Sequence, residues 1–163
     1  MSDSVNRLLP IEKSISYLTD VLDGGADPNE VDEYGRNALS RAAQEDCRPP
    51  LLQRLLARIH DVNAGDKYGM TALIFAAWEN HLDVVISLLN HPGVDVNVQN
   101  RYNSTALHRA VYQNHPAIVS QLLSNDKINA NLKDNYNKTP LTYAFVYNNP
   151  ECVKILQDYG AKK

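Results

Sequence analysis

The chain has 163 residues, 44% hydrophobic and 21% charged, with a formal net charge of -3. That balance fits one folded domain and excludes a disordered chain; with Lys and Arg scattered rather than blocked, it carries no electrostatic footprint for nucleic acid or anionic lipid. Residues 1–7 lack the apolar core of a signal peptide, and no apolar run reaches the roughly eighteen residues of a membrane span, so a cytoplasmic protein without membrane insertion is expected.

In chain order, the first predicted elements are a reduced helix over residues 5–9 and a second helix marked by Ile15, Leu18, Val21 and Leu22, whose other face carries Ser14, Ser16, Thr19 and Asp20. A turn follows at Asp32-Glu33-Tyr34-Gly35, and it returns every 34 residues, as Asp66-Lys67-Tyr68-Gly69, Asn100-Arg101-Tyr102-Asn103 and Asp134-Asn135-Tyr136-Asn137. Leu39, Leu73, Leu107 and Leu141 keep that spacing, as do Ala42, Ala76, Ala110 and Ala144, and Asn29, Asn63, Asn97 and Asn131. Repeats of this length imply a solenoid in which each unit hides its apolar face against its neighbours.

The unit over 66–99 shows the pattern. Asp66 can bond the backbone two residues on, and Gly69 accepts positive φ. Thr71 is an N-cap candidate, and Leu73, Ala76 and Ala77 recur on one helical face. Asn80-His81 ends that helix, and Asp83 sits in the first turn of the next, at the positive end of its dipole. Val84, Val85, Leu88 and Leu89 form the second buried stripe, ended by His91-Pro92-Gly93 with Gly93 as a C-cap. An extended exit through Val94-Asp95-Val96-Asn97 completes the unit. The unit before it is irregular at Cys47-Arg48-Pro49-Pro50, which reads as a stiff entry into its second helix. In the last unit the leucine pair becomes Leu156-Gln157, and Lys162-Lys163 closes the chain in water, so 1–163 reads as a whole stack with polar ends.

These residues resemble the ankyrin repeat. Its Thr-Pro-Leu-His-x-Ala signature is matched by residues 139–144 and 105–110, and more loosely by 71–76 and 37–42, and its Gly-Ala-Asp-Val-Asn exit by Gly25-Ala26-Asp27-Pro28-Asn29, Asp61-Val62-Asn63 and Asp95-Val96-Asn97. The resemblance implies a single all-α domain, a solenoid of about five helix-turn-helix units with β-turn or hairpin loops. The units are a partial N-terminal cap (1–31), repeats 32–65, 66–99 and 100–133, and a C-terminal cap (134–163). Two departures stand out: the period is 34 rather than the family's 33, and Asn103 and Asn137 replace the turn glycine, which Asn tolerates better than most residues.

No convergent nucleophile, base or metal cluster emerges, so an enzyme is not expected, and neither is a cofactor or a metal. His81 and His115 occupy the family's slot between helices and His108 its signature slot, where imidazoles bond within the stack. Cys47 and Cys152 fall at different repeat positions and read as two reduced thiols.

What remains is a binding surface. In ankyrin arrays the turn tips and the open side of each first helix form one concave face, and a protein partner on that face, bound by a monomer acting as adaptor or inhibitor, is the expectation the resemblance carries. The tips offer Tyr34, Tyr68, Met70, Arg101, Tyr102 and Tyr136, and the helices Trp78, Tyr112 and Tyr147. The tip tyrosines also have a packing reading, each ring against the next turn. For Trp78 and Tyr112 binding is favoured over packing, because Gln44 holds the same position in the second unit, so an aromatic is not required there, and Trp and Tyr anchor interfaces at low entropic cost. Glu33, Glu45 and Glu79 toward one end and Arg101 and Arg109 toward the other predict a charge gradient along the face. Asparagine supplies about a tenth of the chain, which suits an AT-rich genome and, through the resemblance, an effector delivered into a host cytoplasm. The alternative is a substrate of asparaginyl hydroxylation, which the family carries at positions matched by Asn63, Asn97 and Asn131.

Overall fold

The computed structural model describes residues 18–162; the helix expected over 5–9, Ser14, Ile15, Ser16 and Lys163 lie outside them. Residues 18–23 are helical (α1). Four helix pairs follow: α2 (Ala38–Gln44) with α3 (Pro49–Leu56), α4 (Ala72–Trp78) with α5 (Leu82–Leu89), α6 (Ala106–Tyr112) with α7 (Pro116–Leu123), and α8 (Pro140–Val146) with α9 (Pro150–Tyr159). Among the described residues there is no strand.

Each first helix starts where a short polar side chain satisfies an otherwise orphaned amide. Asn37, Thr71, Thr105 and Thr139 are the N-caps, accepting from the amides of Ser40, Ile74, His108 and Thr142. Each first helix stops at a residue of positive φ, Asp46, Asn80, Asn114 and Asn148, with φ of 55, 65, 58 and 53°. Asn and Asp reach that region at lower cost than other residues with a Cβ. Proline opens α3, α7 and α9, where its missing N–H costs nothing.

First helices stack as one layer, α2 on α4 on α6 on α8, and second helices as another, α3 on α5 on α7 on α9. Ala42, Ala43, Ala76, Ala77, Ala110 and Ala144 are wholly buried, and their small side chains let the first helices approach closely. Leu52, Leu55, Val84, Val85, Leu88, Ile118, Val119, Leu122 and Leu156 fill the space between layers. Each such leucine contributes about 1.5–3 kcal/mol by leaving water. Leu56 and Leu89, the second members of their pairs, are half-buried, and Gln157 is exposed.

The turns repeat atom for atom. Oδ1 of Asp32, Asp66, Asn100 and Asp134 accepts from the amides two and four residues on. Gly69 has φ +73°, and a Cβ there would stand 3.1 Å from Asn100 Cα, whereas Asn103 and Asn137 hold φ of 54 and 58° as the sequence anticipates. Neighbouring tips are tied main chain to main chain: the amides of Lys67, Arg101 and Asn135 donate to the carbonyls of Tyr34, Tyr68 and Tyr102 at 2.9, 2.9 and 3.0 Å.

Two local expectations are corrected. The exit through Asp95 and Asn97 is a turn rather than an extended segment, because Asp95 Oδ1 accepts the Asn97 amide at 2.9 Å and folds the chain back. Gly93 does not cap α5. Asn90, with right-handed φ and ψ of -77 and -10°, is the cap, and Gly93 lies in the following turn, its amide donating to His91 Nδ1.

The imidazoles serve the stack. His81 Nδ1 lies 2.9 Å from the Ala43 carbonyl oxygen and His115 Nε2 3.1 Å from that of Trp78; Asn149, in the same slot of the last unit, donates to the Val111 carbonyl at 2.7 Å. His108 is buried between Thr105 Oγ1 at 2.9 Å and the Lys138 carbonyl at 3.1 Å.

Candidate functional site

The turn tips and the open sides of the first helices line one face with two adjoining depressions. The larger, about 450 Å³, is walled by Trp78, Tyr102, Ser104, His108, Arg109, Tyr112, Asp134, Tyr136, Tyr143 and Tyr147. The second, about 380 Å³, is walled by Tyr34, Arg36, Asp66, Tyr68, Met70, Phe75, Trp78, Tyr102 and Arg109. Trp78, Tyr102 and Arg109 belong to both and form the ridge between them.

Of the residues chosen from sequence, Tyr34, Tyr68, Tyr102, Tyr112, Tyr136 and Tyr147 are exposed, with Tyr136 the most so at 74%. Trp78 is half-buried. Met70 lines the second depression but is 8% exposed, with Sδ 3.2 Å from Asn100 Nδ2, so it offers a partner little of its surface. Arg101 is exposed but lies outside both depressions, and its carbonyl accepts from Asn135 Nδ2. Asn63 and Asn97 stand away from this face; each amide bridges to the next unit, Asn63 to Gly93 and Asp95, and Asn97 to Lys127 and Asn129. Asn131 Oδ1 accepts from the Lys162 amide.

The depth of the site comes from residues the sequence reading undervalued. Arg109 enters the sequence pattern only as a neighbour, yet its guanidinium sits over the Trp78 ring, Cζ 4.5 Å from the centroid. Tyr143, not singled out at all, stacks on Tyr147 with centroids 5.9 Å apart and planes 12° apart, and meets Tyr112 edge-on at 6.1 Å. Tyr112 and Tyr147 meet edge-on at 4.7 Å. Such pairs stabilise by about 0.5–1.5 kcal/mol beyond their buried area. The missed signal was helical phase: Arg109 precedes Tyr112 by three residues and Tyr143 precedes Tyr147 by four, so each shares its face.

The electrostatics follow the packing. Burial lowers the Arg109 pKa, though a guanidinium stays charged under any ordinary condition. Burial, then the hydrogen bond to Asp134, raises the Tyr143 phenol, and hydrogen bonding with Tyr112 raises that of Tyr147. At the far end Arg36 is neutralised by Asp32 at 2.8 Å, bonds Gln44 at 2.9 Å and lies over Tyr34. Glu33 and Glu79 are exposed, and Glu45 is half-buried. Cys47 and Cys152 are buried, and burial pushes both thiols up to about 11, far from a reactive thiolate. Among the described residues no cluster of His, Cys, Asp and Glu is arranged for a metal ion, and no helix is long and apolar enough to cross a membrane.

A family model described as ankyrin repeats in three copies matches residues 3–100 and again residues 88–163. A search of curated proteins gives no match. Ankyrin repeats are in general protein–protein interaction modules, and the family is typically non-catalytic. The two matches span nearly all of the sequence, and the helix pairs stacked over residues 38–159 are the architecture such repeats build: the chain belongs to the ankyrin-repeat family.

Proposed function

We propose that this protein is a non-catalytic binding module that holds a protein partner in the groove between its turn tips and first helices. The observation that supports this most is six tyrosines, each 41% exposed or more, gathered on one face with Trp78 between them. Large aromatic surface left in water is unfavourable for an isolated fold and marks an interaction site. The shape agrees: the face is an open groove suited to a segment or protein edge rather than an enclosed small-molecule cavity.

Affinity capture from candidate lysates, comparing wild type with Trp78→Ala/Tyr112→Ala, tests the reading. The double variant should keep its helical circular dichroism and lose the partner, since neither side chain is in the fully buried core. A partner retained by both proteins would move the site to the outer helices. We place the partner in the cytoplasm, extended to a host cytoplasm if the chain is delivered as an effector; a reporter fusion that never enters infected cells would remove that extension.

A further inference from the structure

Arg109 is the variable residue of the 105–110 signature, at the place held by Arg41, Phe75 and Tyr143 in the other units. It stands on the ridge shared by the two depressions, half-buried, with Nε wholly shielded from water and without a hydrogen-bond partner. Among the described residues the ion pairs are Arg36–Asp32 and Arg54–Asp23; Asp134 acts on Arg109 only at longer range, without a salt bridge. The acids in the groove are committed elsewhere. Asp134 accepts from the amides of Tyr136 and Lys138 and from the Tyr143 hydroxyl, and Asp66 accepts from the amides of Tyr68 and Met70. A partly desolvated guanidinium attracts an anion more strongly than one fully in water, and the part of Arg109 still exposed is where an anion from outside can reach it.

We propose that the partner segment bound in this groove is acidic and presents an Asp or Glu side chain to Arg109, flanked by apolar residues against Trp78 and Tyr112. This rests on the groove being the binding face. The Trp78 ring supports the guanidinium, Cζ 4.5 Å from its centroid, and a planar guanidinium so held suits a carboxylate, whose two oxygens match its fork of donors. A phosphate fits less well: recognition of a dianion draws on clustered arginines, and of the two arginines lining the depressions Arg36 is already paired with Asp32, which leaves one guanidinium for one carboxylate. A cationic side chain is repelled, because Arg109 already occupies the ring face that would attract it.

The test is selection of a phage-displayed library of random dodecapeptides on wild type, Arg109→Gln, Arg109→Lys, Arg109→Glu and Trp78→Ala/Tyr112→Ala, each first shown to keep wild-type circular dichroism and melting. Wild type should enrich Asp or Glu at one fixed position, Arg109→Gln should lose that preference, Arg109→Lys should keep it in weakened form, and Arg109→Glu should favour Lys or Arg there. Should Arg109→Gln fail to fold, Arg109→Lys and the peptide comparison below carry the test. The synthetic consensus peptide, followed through the fluorescence of Trp78, the only tryptophan, should bind wild type about tenfold or more tighter than its amide analogue, the scale of one charged hydrogen-bonded contact. Peptides that need Trp78 and Tyr112 yet show no acidic preference, or the same preference on Arg109→Gln, overturn the acidic-partner inference and leave the binding face standing. Peptides indifferent to every variant, or none enriched on wild type, overturn both.

Discussion

The Tyr143 hydroxyl donates a 2.5 Å hydrogen bond to Asp134 Oδ2 and so ties helix α8 to the turn tip of its own unit. Asp134 is only 8% exposed and its other oxygen accepts two amides, so the phenol completes the solvation of a buried carboxylate. Tyr143→Phe keeps the ring stack and removes that donor. It should lower stability by roughly 1.5–3 kcal/mol, the range for a hydrogen bond to a charged group, in urea unfolding. An unchanged midpoint would mean that water replaces the phenol without loss.

His108 makes stability depend on pH. Burial holds its pKa below the ordinary 6.5, so the folded protein resists a proton that the unfolded chain accepts. Its contribution is full above about pH 6.5 and is lost as pH falls from there toward the lower folded value. Unfolding midpoints measured between pH 8 and 5 should therefore decline on the acid side, and the decline should be shallower in His108→Gln. Equal slopes in both proteins would assign the acid sensitivity to other groups.

Leu107 is 1% exposed in the middle of the first-helix layer. Leu107→Ala should cost roughly 2–5 kcal/mol in lost burial and residual cavity. Denaturant titration gives the number directly, and a near-neutral result would contradict its placement in the core.

Asn97 links two units through Nδ2 to the Lys127 carbonyl at 2.8 Å and through Oδ1 to the Asn129 amide at 2.7 Å. Asn97→Ala should lower stability by about 1–3 kcal/mol, two ordinary hydrogen bonds at net value, and should broaden the unfolding transition as the units uncouple. Intact mass of protein from its native cell decides separately whether Asn63, Asn97 or Asn131 carries an added oxygen.

Much of the fold was legible because a 34-residue period multiplies every weak local signal. One threonine before an apolar run is a poor helix marker, but Thr71, Thr105 and Thr139 in register with Asn37 are three caps and a close substitute, and all four cap helices. Asn103 and Asn137 were readable as turn residues from φ preference alone. The binding face was read less well. The repeat signature leaves the positions of Arg41, Phe75, Arg109 and Tyr143 unspecified, so alignment of motifs passes over them, whereas a helix turning once every 3.6 residues sets Arg109 and Tyr143 beside the residues already chosen. Met70 is harder to read: Arg36, Ser104 and Lys138 stand at its register, and nothing in that pattern announces a side chain 8% exposed at the wall of the second depression with its Sδ against Asn100 Nδ2.

The single-file contact of α2, α4, α6 and α8, with tips joined only to adjacent tips, has a mechanical consequence. Tension applied along the stack is borne by the interfaces in series, so the weakest yields first while the rest stay folded. Each unit that lets go would lengthen the tether by on the order of 120 Å of contour, 34 residues at about 3.6 Å each. Extension would therefore come as a staircase of near-equal steps, and a partner lying across several tips would act as a splint that raises the force of every step beneath it.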